Sequence, residues 1–243
     1  MPSPLSVSNL SVHYRLQDEP ALSGIDFEAK QSSLIAVIGP NGAGKSTFLK
    51  AAMGLIPCTG EVKFFGEKLD SQRNKIAYMP QRSSVDWDFP ISALDVAAMG
   101  LYGQIGFMRR VKKEHKDKAL SYLEQVGMAD YAGRQIGQLS GGQQQRVFLA
   151  RTLAQNAELY LMDEPLSGVD MASEKIIIDI LIALKKQGKT ILVVHHDLQS
   201  VGSFFDEALL LNRTKISEGP IKTVLSAGNL ARAYKMPVIA DVA

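Results

Sequence analysis

Residues 39–46 read Gly-Pro-Asn-Gly-Ala-Gly-Lys-Ser and match the pattern G-x-x-x-x-G-K-[ST]. The pattern lies between the apolar run Leu34–Ile38, which predicts a buried strand, and a helical pattern over Lys45–Leu55. Glycines leave backbone N–H groups uncovered, and the N-terminus of the following helix adds partial positive charge. We therefore expect this loop to hold phosphate groups at the start of a helix, which requires an α/β fold.

Three residues at the end of the loop have side chains that suit nucleotide chemistry. Lys45 brings a cation to the β- and γ-phosphates, the Ser46 hydroxyl can ligate Mg²⁺, and Thr47 follows. The expected nucleotide contacts in this segment are Gly39, Pro40, Asn41, Gly42, Ala43, Gly44, Lys45, Ser46 and Thr47.

A second buried strand, predicted over Leu159–Met162, ends in two acids. We expect Asp163 to hold Mg²⁺ through its water shell, and Glu164 to orient or deprotonate the water that attacks the γ-phosphate. Taken alone, a strand followed by an acidic turn is a common string. The phosphate loop in the same chain favours the catalytic interpretation.

The segment Leu139–Gln143 reads Leu-Ser-Gly-Gly-Gln and precedes another helical pattern. Ser140 and Gln143 have the spacing of a capping box, so the segment predicts a well-capped helix start. The two glycines beside a hydroxyl also expose N–H groups at that helix start, which makes a second anion site. Either the protein binds two anions, or this second cradle serves a nucleotide held by another subunit.

Apolar runs and helical patterns alternate along the chain, which predicts parallel strands joined by helices. Further strands are expected over Thr190–Val194 and Ala208–Leu211, whereas Ile91–Gln138 reads as helical. The N-terminal segment and Glu61–Phe65 predict a separate small sheet. The expected fold is therefore α/β, with a mostly parallel sheet, a small N-terminal antiparallel β subdomain and an inserted α-helical subdomain.

Composition excludes several other classes. A net charge of +2 over 243 residues gives no argument for nucleic acid as a partner. The single cysteine, Cys58, cannot form a disulfide within the chain, and Met1–Pro4 does not resemble a signal peptide, so we expect a reducing compartment. Apolar runs are all shorter than the roughly 18 residues of a membrane span. Any work at a membrane would need recruitment by another chain.

The phosphate loop, Leu139–Gln143 and the acids Asp163 and Glu164 together resemble the nucleotide-binding subunit of an ABC transporter, over nearly the whole chain. The resemblance implies one ABC ATPase domain over 1–243, with a P-loop NTPase, RecA-like core and β subdomain in 1–90 and 156–243. The helical subdomain, including the signature motif, would be 91–155. It also implies ATP hydrolysis with Mg²⁺ in a head-to-tail homodimer that sandwiches two ATP molecules. Integral membrane permease subunits would hold the dimer at the cytoplasmic side of the membrane, with a solute-binding protein as an indirect partner.

Further roles rest on this resemblance alone. Those residues are Ser140, Gly141, Gly142 and Gln143 at the partner's γ-phosphate; Ser167, Gly168 and Asp170 in a loop at the dimer interface; Gln81 as a sensor of Mg²⁺ and water; His196 as a switch at the γ-phosphate; and Tyr14 stacked on adenine. The implied catalytic residues are Glu164, His196, Lys45 and Gln81, and the implied Mg²⁺ ligands are Ser46, Gln81 and Asp163. Alternatives are a surface position for Tyr14, an ordinary loop role for Gln81 and a metal site in the His-His-Asp run.

The stretches Met79–Pro90 and Leu94–Gly100 resemble the bacterial subfamily that imports manganese, zinc or chelated iron, and we favour manganese. Trp87 and Phe89 would dock on the permease, or would be core aromatics of the helical subdomain. The competing hypotheses are a non-transport ABC ATPase and a degenerate, regulatory cassette. The first is disfavoured because the interval between the two motifs has no heptads, and the second because Lys45, Glu164 and His196 are all present. The stretch 227–243 carries no recognisable motif.

Overall fold

The computed structural model describes residues 2–14, 18–106 and 108–234. Its strands are β1 (Ser6–Val12), β2 (Leu22–Glu28), β3 (Leu34–Ile38), β4 (Thr59–Lys63), β5 (Ile76–Met79), β6 (Leu159–Asp163), β7 (Thr190–Val194), β8 (Glu207–Asn212) and β9 (Thr214–Pro220). Its α-helices are α1 (Lys45–Ala52), α2 (Leu69–Gln72), α3 (Ala93–Met99), α4 (Tyr102–Ile105), α5 (Lys113–Gln125), α6 (Gly141–Ala154), α7 (Met171–Lys186), α8 (Leu198–Phe204), α9 (Ile221–Val224) and α10 (Ala227–Tyr234).

The chain divides into two compact units, which are described separately. Unit 1 is the chain up to Gln72 together with the chain from Thr190 onward, and unit 2 is Arg73–Lys189. In unit 1, β1 pairs antiparallel with β2 and β4 to form a three-stranded sheet of order β2-β1-β4. Strand β3 pairs parallel with both β7 and β8, and β9 is antiparallel to β8. All five residues of β3 and of β7 are buried, as expected for central parallel strands.

Unit 2 combines a parallel strand pair with a helical segment. Strand β5 pairs parallel with β6, and every residue of β6 is buried. Helices α3, α5 and α6 pack on one another. Between residues 91 and 155, the described part of the chain forms helices and turns, apart from one isolated bridge that joins Ser92 to Gln135. The predicted helical insertion and mostly parallel sheet are therefore confirmed, and so is the small antiparallel sheet.

Most element boundaries agree with the sequence predictions, with one instructive difference. The helix predicted over Lys45–Leu55 ends at Ala52. Gly54 adopts a positive φ of 66°, and the backbone N–H groups of Gly54 and Leu55 donate to Ala51 and Lys50. This reversal satisfies the last helical carbonyls and ends the helix before the apolar pattern ends.

The predicted partition at residues 90/91 and 155/156 does not coincide with the unit boundaries and stays a prediction. In the described ranges, no helix combines the length and apolarity that crossing a membrane requires. Residues 227–234 form the amphipathic helix α10, and the rest of the C-terminal stretch lies outside the described residues.

Candidate nucleotide-binding and hydrolysis site

The loop between β3 and α1 forms a cradle, and two of its glycines occupy positions that a larger residue could not take. Gly39 has a φ of 148°, and an added Cβ would lie 2.0 Å from the carbonyl oxygen of Leu211. Gly44 has a φ of 91°, and its Cβ would lie 2.4 Å from the Leu22 side chain. Both positions combine a backbone conformation that L side chains avoid with no room for a methyl group. The loop is thus pressed against the strands behind it, with its N–H groups at the N-terminus of α1.

Lys45 folds over this loop instead of extending into solvent. Its Nζ donates to the carbonyl oxygens of Gly39 at 2.9 Å and Pro40 at 3.0 Å, and the residue is buried. The loop therefore holds the ammonium group next to its own backbone N–H groups, where an anion would be bound.

Tyr14, at the end of β1, lies beside the same loop. Its hydroxyl is 3.3 Å from Thr47 Oγ1, and its ring lines a cavity of about 510 Å³ together with Gly42, Gly44 and Arg213. The tyrosine is 37% exposed, so its side chain is partly accessible to solvent beside the loop. The predicted adenine-stacking residue and the predicted phosphate loop thus share one cavity of unit 1.

The two adjacent histidines after β7 have different surroundings. His195 is buried, its Nε2 lies 2.8 Å from Ser200 Oγ, and its ring packs near Phe205. His196 is exposed. His195 Nε2 therefore has a partner within the protein, and the role of His196 at the γ-phosphate stays a prediction.

The end of β6 carries the predicted acids of unit 2. Asp163 is fully buried, and Glu164 follows with a φ of 52°, a conformation that non-glycine residues rarely adopt. Gln81 Nε2 donates to Glu164 Oε2 at 2.9 Å. The family resemblance implies that Gln81 and Glu164 act in the same reaction, and the structure brings these two side chains together although they are 83 residues apart in the sequence.

Tyr78, on the neighbouring strand β5, has a pKa that is changed by burial. Burial, and secondarily the Asp163 carboxylate, raise the pKa of Tyr78 to about 12. The raised pKa keeps the phenol of Tyr78 neutral near pH 7.

The predicted signature segment begins helix α6 as a complete capping box. Gln143 N donates to Ser140 Oγ at 3.3 Å, and Ser140 N donates to Gln143 Oε1 at 2.9 Å. A Cβ on Gly142 would lie 3.2 Å from Asp170 Oδ2, so the glycine lets the start of α6 approach the start of α7.

Asp170, in the predicted interface loop, caps helix α7. Its carboxylate accepts from the Ser173 backbone N–H at 2.8 Å and from the Ser173 hydroxyl at 3.0 Å. These hydrogen bonds, the backbone one first, lower the pKa of Asp170 below its usual range. Its neighbours Ser167 and Gly168 lie in the turn before the helix, and Gly168 has a φ of 68°.

Three polar residues of unit 2 that sequence reasoning did not single out connect these motifs. Gln144 Oε1 accepts two hydrogen bonds from the Arg82 guanidinium, at 3.0 and 2.8 Å. Gln145 Nε2 donates to the carbonyl oxygen of Glu164 at 3.1 Å. Most residues of helix α6 are buried. Its consecutive apolar residues 147–150 cover all sides of the helix, and they were the sequence signal that its glutamines also face the interior.

Trp87 is half-buried and packs on Phe148 with ring centroids 4.8 Å apart, while its indole N–H donates to the Arg82 carbonyl. Phe89 is 58% exposed. The structure thus favours the packing role for Trp87 and leaves Phe89 as the exposed aromatic of this stretch.

The residues fit ATP with Mg²⁺. In unit 1 the Ser46 hydroxyl, and in unit 2 the Asp163 carboxylate and the Gln81 amide oxygen, are hard ligands of the kind that Mg²⁺ prefers. In the described ranges, no cluster of three or more His, Cys, Asp or Glu side chains could hold a metal.

Comparisons with known proteins identify relatives of this chain by sequence and by fold. A family model described as ABC transporter matches residues 22–167. The chain is 51% identical over 232 residues to the manganese transport system ATP-binding protein MntB of Bacillus subtilis, covering 95% of this chain and 92% of that protein. It is 50% identical over 231 residues to the zinc transport system ATP-binding protein TroB of Treponema pallidum, covering 95% and 86%.

Among solved structures, the dimeric bacterial ABC transporter cassette MJ0796 superposes with a TM-score of 0.80 at 28% identity, covering 89% of this chain and 98% of that one. The family match spans more than half of the chain, and the relatives extend over nearly all of it. This chain therefore belongs to the ABC transporter family, as one of its ATP-hydrolysing cassettes.

Proposed function

We propose that this chain is the ATPase subunit of a transporter that imports a transition-metal ion, with manganese as the favoured cargo. The observation that carries the hydrolytic part is the hydrogen bond from Gln81 to Glu164, directly after the buried Asp163. It brings the Gln81 amide, which follows β5, to the candidate base that follows the candidate Mg²⁺ ligand at the end of β6.

The phosphate groups of ATP would be bound by the loop of unit 1. Backbone N–H groups at the start of α1 and the ammonium of Lys45 neutralise the charge of the β- and γ-phosphates, and Tyr14 stacks on adenine. Bound Mg²⁺, held by Ser46, Asp163 and Gln81, would supply further positive charge to the phosphate oxygens.

Glu164 would act as the general base. Its carboxylate takes a proton from water as the water oxygen bonds to the γ-phosphorus and the bond to the ADP oxygen breaks. Gln81 fixes the direction of the carboxylate, and His196 donates a hydrogen bond to a γ-phosphate oxygen. These are preorganised groups aimed at developing charge, which is the main source of catalysis in phosphoryl transfer.

A second copy of the chain would complete each site. Ser140 and Gln143 cap the start of helix α6 in unit 2, where the backbone N–H groups of Gly141 and Gly142 would serve as a second phosphate cradle. The similar cassette MJ0796 was solved as a dimer. In a head-to-tail homodimer, this signature segment contacts the γ-phosphate held by the partner, while Ser167, Gly168 and Asp170 lie at the interface. Hydrolysis then reopens the dimer and moves the permease.

The variant Glu164→Gln tests the catalytic assignment. An amide cannot take the proton from water, so phosphate release should fall roughly 10²–10⁴-fold. ATP binding should persist, and gel filtration with ATP should show an accumulated dimer. Turnover equal to that of the unchanged chain would remove Glu164 from the role of base.

The cargo part of the proposal rests on the similarity to transport proteins named for manganese and for zinc. Zinc is therefore the second candidate, with chelated iron next. In this proposal the chain is peripheral, held at the cytoplasmic side of the membrane by permease subunits, and Phe89 contacts them.

Uptake by cells tests the cargo. Cells that lack this chain should take up radioactive manganese slowly, and the unchanged chain, but not Glu164→Gln, should restore the rate. Parallel measurements with zinc and a ferric chelate serve as controls. Restoration of zinc uptake alone would replace manganese by zinc, and restoration of none would contradict metal import.

A further inference from the structure

A buried amide lies behind the candidate base. Gln145 is 1% exposed, on the third residue after the two glycines of the signature segment. A buried amide side chain needs hydrogen-bond partners, because losing them costs more than the bond itself contributes. Gln145 directs its Nε2 to the carbonyl oxygen of Glu164, at 3.1 Å.

Glu164 is held at both ends. Its carboxylate accepts from Gln81, whereas its carbonyl accepts from Gln145 and from the backbone N–H of Ser167, also at 3.1 Å. The residue has a φ of 52°, which costs energy for a side chain with a Cβ and persists only where neighbours hold it. The Gln145 side chain donates to this carbonyl, so it is placed to stabilise the conformation.

We propose that Gln145 is a positioning residue that fixes the backbone of Glu164, and thereby the direction in which the carboxylate points. This inference rests on the proposed role of Glu164 as the base. Gln145 touches neither ATP nor water in this account and acts only through Glu164.

The inference has a consequence for the dimer. Helix α6 begins with Ser140–Gln143, which would bind the γ-phosphate held by the partner, and two residues later carries Gln145. One rigid helix start would therefore connect the ATP held by the partner to the base that serves the chain's own ATP.

The test is a double-mutant cycle in the full-length chain. Gln145→Met keeps the length and approximate volume of the side chain but cannot donate a hydrogen bond. We expect kcat for phosphate release to fall about tenfold, with the dissociation constant for ATP, measured without Mg²⁺, changed less than twofold. Gln155→Met, at the other end of α6, makes the same chemical change on a half-buried residue and should leave both values unchanged.

The same substitution is then made in the Glu164→Gln background, with single-turnover hydrolysis as the readout. If Gln145 acts through the Glu164 carboxylate, Gln145→Met should lower the residual rate there by less than threefold. A tenfold loss in both backgrounds, a matching loss of ATP affinity, or no loss at all would overturn the proposal. Failure of the proposed function is distinguishable, because Glu164→Gln alone would then retain normal turnover.

Discussion

Tyr14 is the residue whose proposed role, stacking on adenine, depends on its aromatic ring alone. It borders the cavity beside the phosphate loop, and its hydroxyl lies 3.3 Å from Thr47. Stacking needs only the ring, whereas the hydroxyl contact would be a structural link within unit 1. The two contributions can be separated by substitution.

We predict that Tyr14→Ala raises the dissociation constant for ATP roughly 5- to 150-fold, since base–aromatic stacking contributes about 1–3 kcal/mol. Tyr14→Phe keeps the ring and should stay within about twofold of the unchanged chain. Equilibrium binding of a fluorescent ATP analogue measures both. Equal weakening by Phe and Ala would assign the effect to the hydroxyl and not to stacking.

Sequence motifs were sufficient to predict side-chain contacts between residues within one turn of a helix. They were insufficient to predict contacts between residues that are distant in the sequence. Ser140 and Gln143 form the predicted capping box because both partners lie within one helical turn. The contact of Gln145 could not be predicted from the sequence. Its partner, the Glu164 carbonyl oxygen, lies 19 residues away and is a backbone atom with no sequence signature. The choice between His195 and His196 rests on the family pattern, and the structure adds that His195 Nε2 has a partner in Ser200.

At the scale of elements, helix α3 approaches α6 so closely that the contact depends on a missing side chain. Gly100, the C-cap of α3, has an ordinary negative φ, yet an added Cβ would lie 2.0 Å from the carbonyl oxygen of Arg151 and 2.8 Å from the Ala154 Cβ. The element type was predictable from helical periodicity. The distance between the helices was not, because it depends on the packing of side chains from separate segments.

We predict that Gly100→Ala lowers the free energy of unfolding by about 1–3 kcal/mol, because the methyl group must push two helices apart. The matched control is Gly103→Ala in the neighbouring helix α4, where a Cβ meets nothing within 4 Å. That change should be neutral or stabilise by about 0.4–1 kcal/mol. Urea denaturation of both variants measures the difference, and equal stability would contradict the close approach of α3 and α6.

At the scale of the whole molecule, we propose that each ATP site is divided between two chains. Lys45 and Glu164 of one chain would act on the ATP whose γ-phosphate is contacted by Ser140–Gln143 of the other. A single sequence indicated this division by carrying two phosphate cradles for one nucleotide. The family comparisons support the fold and the ATPase activity of each chain.

Subunit complementation tests this division most directly. One variant, Lys45→Ala, disables the phosphate loop, and another, Gly142→Asp, places a carboxylate in the signature cradle. In a mixed dimer, both defects fall in one ATP site and the other site is intact. Each variant alone should hydrolyse ATP at background rates, whereas an equal mixture should regain about a quarter of normal activity if half of the dimers are mixed. A mixture no more active than its components would contradict the shared site.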